Sequence, residues 1–151
     1  MDNSGTDAIA LVERFPDVAD YRRLRVEAGL SSRSLEAAQR GLANTLYGVS
    51  LLDVGRVIGM GRIVGDGGCF CLVVDVAVAP PYQGRGLGKR IMAAPAAWLR
   101  ANAPVSSVVS LVANGDARHL YAQYGFVESA PYAVNMEYRV SAKPPYRTHD
   151  G

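Results

Sequence analysis

The sequence predicts a single α/β domain, and three observations predict it. Apolar runs of strand length alternate with helical patterns along most of the chain. At mid-chain the apolar run Asp75-Val76-Ala77-Val78-Ala79 breaks at Pro80-Pro81; Gly84, Gly86 and Gly88 then alternate before a helical pattern begins. The length of 151 residues suits one domain, which at this size hides roughly 70% of its unfolded surface.

The elements follow in order. Residues 1–7 are polar and expected to be flexible, and Ala8 to Arg14 reads as a short strand. From Pro16 the pattern turns helical, with Val18, Tyr21, Leu24, Arg25 and Ala28 on one face and Gly29 as a stop. A second helix starts near Ser34, with Leu35, Ala38, Leu42 and Leu46 in one stripe. Tyr47–Leu52 and Arg56–Gly65 are strands around Asp53-Val54-Gly55, and Asp66-Gly67-Gly68 is the next hairpin turn. Cys69 to Val78 reads as a strand buried on both faces, interrupted by Asp75. The helix from Gly86 to Asn102 carries Leu87, Ile91, Ala94, Trp98 and Leu99; Pro95 inside it predicts a kink toward solvent. Val105–Val112 is a further strand, and Asp116–Tyr124 a short helix stopped by Gly125. Phe126–Ala130 and Val134–Val140 resemble a closing hairpin, and residues 141–151 a flexible tail.

Composition narrows the function classes. A net charge of +2, with scattered arginines, gives no electrostatic basis for binding nucleic acid or membrane. Cys69 and Cys71 are two apart on one expected strand, so they share a face and resist pairing; buried free thiols in a reducing compartment are expected. Neither a signal-peptide pattern nor an apolar run of about 18 residues occurs, which favours a cytoplasmic protein. The only histidines, His119 and His149, have no metal-ligand spacing, so no metal is expected. The nucleophile elbow G-x-S-x-G is absent.

The glycine loop is the most informative stretch. Such a loop leaves backbone N–H groups bare at the positive end of a helix dipole, a seat for phosphate. A Walker A loop would need Ser or Thr after Gly88-Lys89, where Arg90 stands, and a Rossmann fingerprint needs another glycine spacing. A turn that binds nothing accounts for Gly84 or Gly86 singly, but not for three glycines that strip side chains from a helix start.

Gln83-Gly84-Arg85-Gly86-Leu87-Gly88 resembles the Q/R-x-x-G-x-G/A loop of the GNAT acetyltransferases, and Asp75 to Pro80 resembles that family's fourth strand. Asn114-Gly115-Asp116-Ala117-Arg118-His119-Leu120-Tyr121-Ala122-Gln123-Tyr124-Gly125-Phe126 resembles a second family signature. The resemblance runs from about Ala8 to Val140. It implies one α/β (α+β) domain over 8–140, with a mixed, mostly antiparallel twisted sheet of about six to seven strands and about four helices. Its fourth and fifth strands would run parallel and splay apart.

The same resemblance implies acetyl-CoA as cosubstrate. Gln83, Gly84, Arg85, Gly86, Leu87, Gly88 and Lys89 would surround the pyrophosphate, and Asn114 would bond the pantetheine arm. Backbone amides in a bulged fourth strand, from Val76 to Val78, would hold the oxyanion. Tyr121 would protonate the departing thiolate, with Tyr124 as second choice. Asp75 is either the base that deprotonates the amine or an ion-pair partner of Arg62; Glu137 is a weaker base candidate. The expected reaction is acetyl transfer to a primary amine by direct attack. A non-catalytic acyl-CoA sensor and a peptide acetyltransferase are the alternatives. Few and scattered acids, with Tyr21, Tyr47, Tyr82 and Tyr132 as aromatic walls, favour a small monoamine or amino-acid-like acceptor. Members are often dimers, so the resemblance leaves a homodimer open.

Overall fold

A computed structural model describes residues 8–140. Local hydrogen bonding sets most element boundaries. Helix α1, Val18–Glu27, starts where the Asp17 carboxylate accepts the Asp20 N–H at 2.8 Å, and it stops at Gly29, whose φ is +81°. Helix α2, Leu35–Leu42, is capped by the Ser34 hydroxyl in the same way.

Strands β1 (Ile9–Val12), β2 (Tyr47–Asp53), β3 (Arg56–Gly65) and β4 (Phe70–Val78) form an antiparallel meander. Strand β5, Val108–Ser110, joins β4 in parallel, so the sheet runs β1-β2-β3-β4-β5. Between β3 and β4 one Asp66 oxygen accepts the N–H groups of Gly68, Cys69 and Phe70, which holds its carboxyl below the usual range. That turn draws Cys69 out of the strand. Cys69 is exposed and only Cys71 is buried, which corrects the expectation of two buried thiols.

Helix α3, Leu87–Asn102, lies over β2, β3 and β4 and runs through Pro95. Pro95 is buried. Ile91 sits over Gly59 and Gly61, whose missing side chains let the helix approach the sheet. Arg62, the next residue along β3, points to the opposite face, where α1 packs. The short helix α4, Ala117–Ala122, rests its Leu120 against Gly88 at the start of α3.

The α/β class and the parallel β4–β5 pair match expectation, but the described sheet has five strands rather than six or seven. Val105–Val112 shortens to β5 because Pro104–Ser107 forms a turn with Ser106 at φ +79°. Residues 126–140, expected as a hairpin, are irregular. The short β5 edge offers few ladder groups for another strand to pair with. Phe70 and Leu72 are exposed, so β4 is not covered on both faces at its start. Among the described residues no helix is long and apolar enough to cross a membrane. The expected flexible segments, 1–7 and 141–151, lie outside the described residues.

Candidate active site

Strands β4 and β5 pair only over Phe70–Leu72 against Val108–Ser110, then part. A cleft of about 830 Å³ opens in the gap. Asp75, Val76, Val78, Gln83, Asn114 and Tyr121, six of the residues singled out in the sequence, line it together. Gly84, Arg85, Gly86, Leu87, Gly88 and Lys89 do not line the cleft itself. They follow directly on Gln83, whose side-chain amide donates to the Val78 carbonyl at 2.9 Å and so ties the loop to the end of β4.

Gly84 and Gly86 have φ of +79° and +76°, a backbone region that costs other residues about 1–2 kcal/mol. A Cβ at either position would meet nothing within 4 Å, so both glycines leave open space above the loop. Gly86 precedes α3 with no side-chain cap, and among the described residues the N–H groups of Gly84 to Lys89 find no acceptor. Bare amides at a helix start fit a phosphate. Leu87 turns inward to the core. Arg85 lies over the Tyr82 ring at 5.4 Å, whereas Arg90 donates to the Ile9 carbonyl and serves β1 instead.

Tyr121 projects from α4 among Ile63, Cys71, Val73 and Met92, with an edge-on contact to Phe126. Burial raises its pKa above the ordinary value near 10, so at neutral pH its hydroxyl holds a proton that it can donate. Tyr124 donates instead to the Lys89 carbonyl at 3.0 Å and is absent from the cleft wall. The two tyrosines thus divide the work: one fastens α4 to the start of α3, and the other faces the cleft.

Asp75 is the hub of a buried polar cluster. Arg25 donates to its Oδ1 at 2.5 Å and Arg62 to its Oδ2 at 2.8 Å, and the Tyr21 hydroxyl meets Oδ1 at 3.2 Å. The guanidiniums are themselves satisfied: Arg25 by Ser31, and Arg62 by the Gly41 carbonyl and the Thr45 hydroxyl. Removing one partner of such a buried pair typically costs about 3–5 kcal/mol. Of the two roles left open for Asp75, the ion pair with Arg62 is present. Both carboxylate oxygens already accept from a guanidinium, which stabilises the ionised form and weakens Asp75 as a base. Sequence reasoning missed Arg25 as its second partner, although a charge on the apolar stripe of α1 was the signal.

The expected aromatic wall does not form, since Tyr21, Tyr47, Tyr82 and Tyr132 all lie off the cleft. Tyr47 bonds Glu13 and stacks on Trp98, Tyr82 bonds Asp53, Tyr21 bonds Asp75, and Tyr132 is fully exposed. Each phenol went to a nearby carboxylate or to water. Arg25, Arg33 and Arg139 line the cleft instead, with Asp75 and Glu137 as its acids; Glu137 accepts from Arg139. Neither cysteine lines it. Among the described residues no three His, Cys, Asp or Glu side chains gather as a metal site.

A parted pair of parallel strands, with a glycine loop at one end and a tyrosine on the wall, is the architecture of an acyltransferase family. Residues 43–128 match the family described as the acetyltransferase (GNAT) domain, and the chain belongs to the GNAT acetyltransferases. It is 38% identical to a probable acetyltransferase of unknown function from methicillin-resistant Staphylococcus aureus, covering 87% of this chain and 99% of that one with a TM-score of 0.83. A GNAT-family protein of Streptococcus pneumoniae, 23% identical with a TM-score of 0.68, shares the fold over 89% of this chain and 99% of its own. An uncharacterized N-acetyltransferase, ycf52-like, of Prochlorococcus marinus is 34% identical over 80 residues, half of this chain and 44% of its own. The ycf52 N-acetyltransferase of Porphyra purpurea is 30% identical over 113 residues, 72% of this chain and 64% of its own. The chain therefore spans between about half and two thirds of these two curated relatives.

Proposed function

We propose that the protein transfers the acetyl group of acetyl-CoA to the primary amine of a small molecule by direct attack on the thioester. One observation carries this reading: the cleft between β4 and β5 has Gln83, the residue before the bare-amide loop, and the buried, protonated Tyr121 both on its wall. The loop amides and Gly86 hold the pyrophosphate, and Asn114 bonds the pantetheine arm. Amides of the Val76–Val78 segment receive the negative charge that develops on the acetyl oxygen. The neutral amine forms its bond to the carbonyl carbon as the carbon–sulfur bond breaks; Tyr121 gives its proton to the thiolate, and the proton shed by the nitrogen passes through water to restore the Tyr121 phenol. Direct transfer is supported by the position of Cys69 and Cys71, which both lie off the cleft.

The acceptor end favours a substrate with one amine and a carboxylate. Three arginines line the cleft against two acids, and each acid already bonds a guanidinium. A polyamine would find few carboxylates to replace its water. Thiol release from acetyl-CoA should be measured with an amino acid, an arylalkylamine, spermidine and a lysine-rich peptide. The highest kcat/KM should fall to the amino acid. Preference for spermidine or the peptide removes the acceptor assignment, and CoA binding without release for any amine removes the enzymatic one.

A further inference from the structure

We infer that the Arg25–Asp75–Arg62 cluster is the device that holds a left-handed kink in β4, which makes Asp75 a positioning residue for the Val76 amide and not the proton acceptor of the reaction. Asp75 has φ of +58° in the middle of a strand; the other described non-glycine residues with positive φ, Val54 and Ser106, lie in turns. Such a conformation persists only where the surroundings over-determine it. Here both carboxylate oxygens are held, from α1 by Arg25 and from β3 by Arg62.

The kink coincides with a change of register. Arg62 pairs with Val74 and Met60 with Ala77, so Asp75 and Val76 together stand opposite Gly61. One extra residue on β4 reverses which face the following side chains take. Asp75 is thereby delivered to the α1 face, beside Tyr21 and the two arginines. Val76 goes to the opposite face, where its methyl lies 3.6 Å from the position of a Cβ on Gly61, next to Ile91. With a regular strand the carboxylate would point toward apolar α3. The bulged step sets Asp75 and Val76 together against the single residue Gly61 of β3, and both residues line the cleft. On the reading of the cleft given above, the peptide between them is where the oxyanion donor is needed.

The clamp reaches further than the strand. Arg25 also bonds Ser31 after α1, and Arg62 bonds Gly41 in α2 and Thr45 beyond it. The segment from Arg25 to Arg33, which lines the cleft, is therefore tied to the residue that sets the kink.

The test separates backbone shape from carboxylate chemistry. Two double variants of the full chain, Arg62→Met with Asp75→Gly and Arg62→Met with Asp75→Ala, both lack the carboxylate and both leave the cluster its single net positive charge. They differ in that glycine adopts positive φ freely and alanine does not. The glycine variant should retain a kcat at least about tenfold above the alanine variant, with CoA affinity alike in both. Equal kcat in the two overturns the inference: equally low values mean that Asp75 acts as the base, and equally high ones mean that the kink needs no clamp. Asp75→Asn, which keeps an oxygen for one arginine and tolerates positive φ, covers the case in which either double variant fails to fold. A kcat loss below about a hundredfold supports positioning, and a larger loss overturns it. If the native chain transfers no acetyl group, the functional reading fails on its own. The clamp is then judged by crystal structures of the variants: a kink kept by glycine and lost by alanine supports it, and a kink kept by both overturns it.

Discussion

Ile91 stands directly over Gly61: a Cβ added to Gly61 would lie 2.7 Å from the Ile91 Cγ2. This contact sets how closely α3 approaches the sheet, and through α3 it sets where the glycine loop meets the kink in β4. Gly61→Ala should destabilise the fold by about 1–3 kcal/mol through overpacking. Because the clash is with a branched methyl, Ile91→Leu in the same chain should recover part of that loss. Urea denaturation of the four chains in a double-mutant cycle checks this, and strictly additive losses refute it.

Gly86→Val tests the phosphate seat. The position is open to solvent, so a side chain there strains the left-handed backbone without clashing with protein. CoA affinity should drop by at least about tenfold, since the branched group takes the space of the phosphate oxygens and bends the loop amides away. Calorimetric titration of a folded variant with CoA decides the point; unchanged affinity removes the seat.

Tyr121→Phe should lower kcat by roughly 10²–10⁴-fold with little change in CoA affinity, the worth of a positioned acid. Burial holds the native phenol above its ordinary pKa near 10, so the donating form persists through neutral and mildly alkaline pH. No fall in kcat below pH 10 should trace to this residue. An unaltered kcat in the phenylalanine variant assigns the proton to water.

Tyr47 supplies an alkaline stability signal. Burial first, then its bond to Glu13, pushes its pKa up to about 12 from an ordinary value near 10. A phenol whose pKa is raised by folding contributes fully below its unfolded value and loses that contribution as pH rises through the folded one. Stability should therefore decline between about pH 10 and 12, and less steeply in Tyr47→Phe. Trp98, the chain's single tryptophan, stacks on this ring and reports unfolding by fluorescence. Parallel declines in the two chains contradict the assignment.

Those parts of the protein whose cause is local are legible in the order of its residues. Strand, proline break, glycine loop and helix between Asp75 and Asn102 are legible because Pro and Gly restrict or free the backbone at their own positions. The helix stops at Gly29 and the turn at Asp66 are legible because each is satisfied by hydrogen bonds within a few residues. The run from Asn114 to Phe126 announced Tyr121 and Asn114 as a pair, and both reach the cleft. The rest depends on contacts between residues far apart in the chain. Arg25 and Asp75 are 50 residues apart, and no spacing rule connects a charge on one helix to a carboxylate on a distant strand. The four tyrosines expected around the acceptor went elsewhere because a phenol takes whichever carboxylate or ring the fold brings within reach, as Glu13 and Trp98 are brought to Tyr47. The length of β5 was also hidden. Strand pairing depends on the partner's register, and β4 turns away from β5 after Leu72, which opens the cleft that gives the site its room.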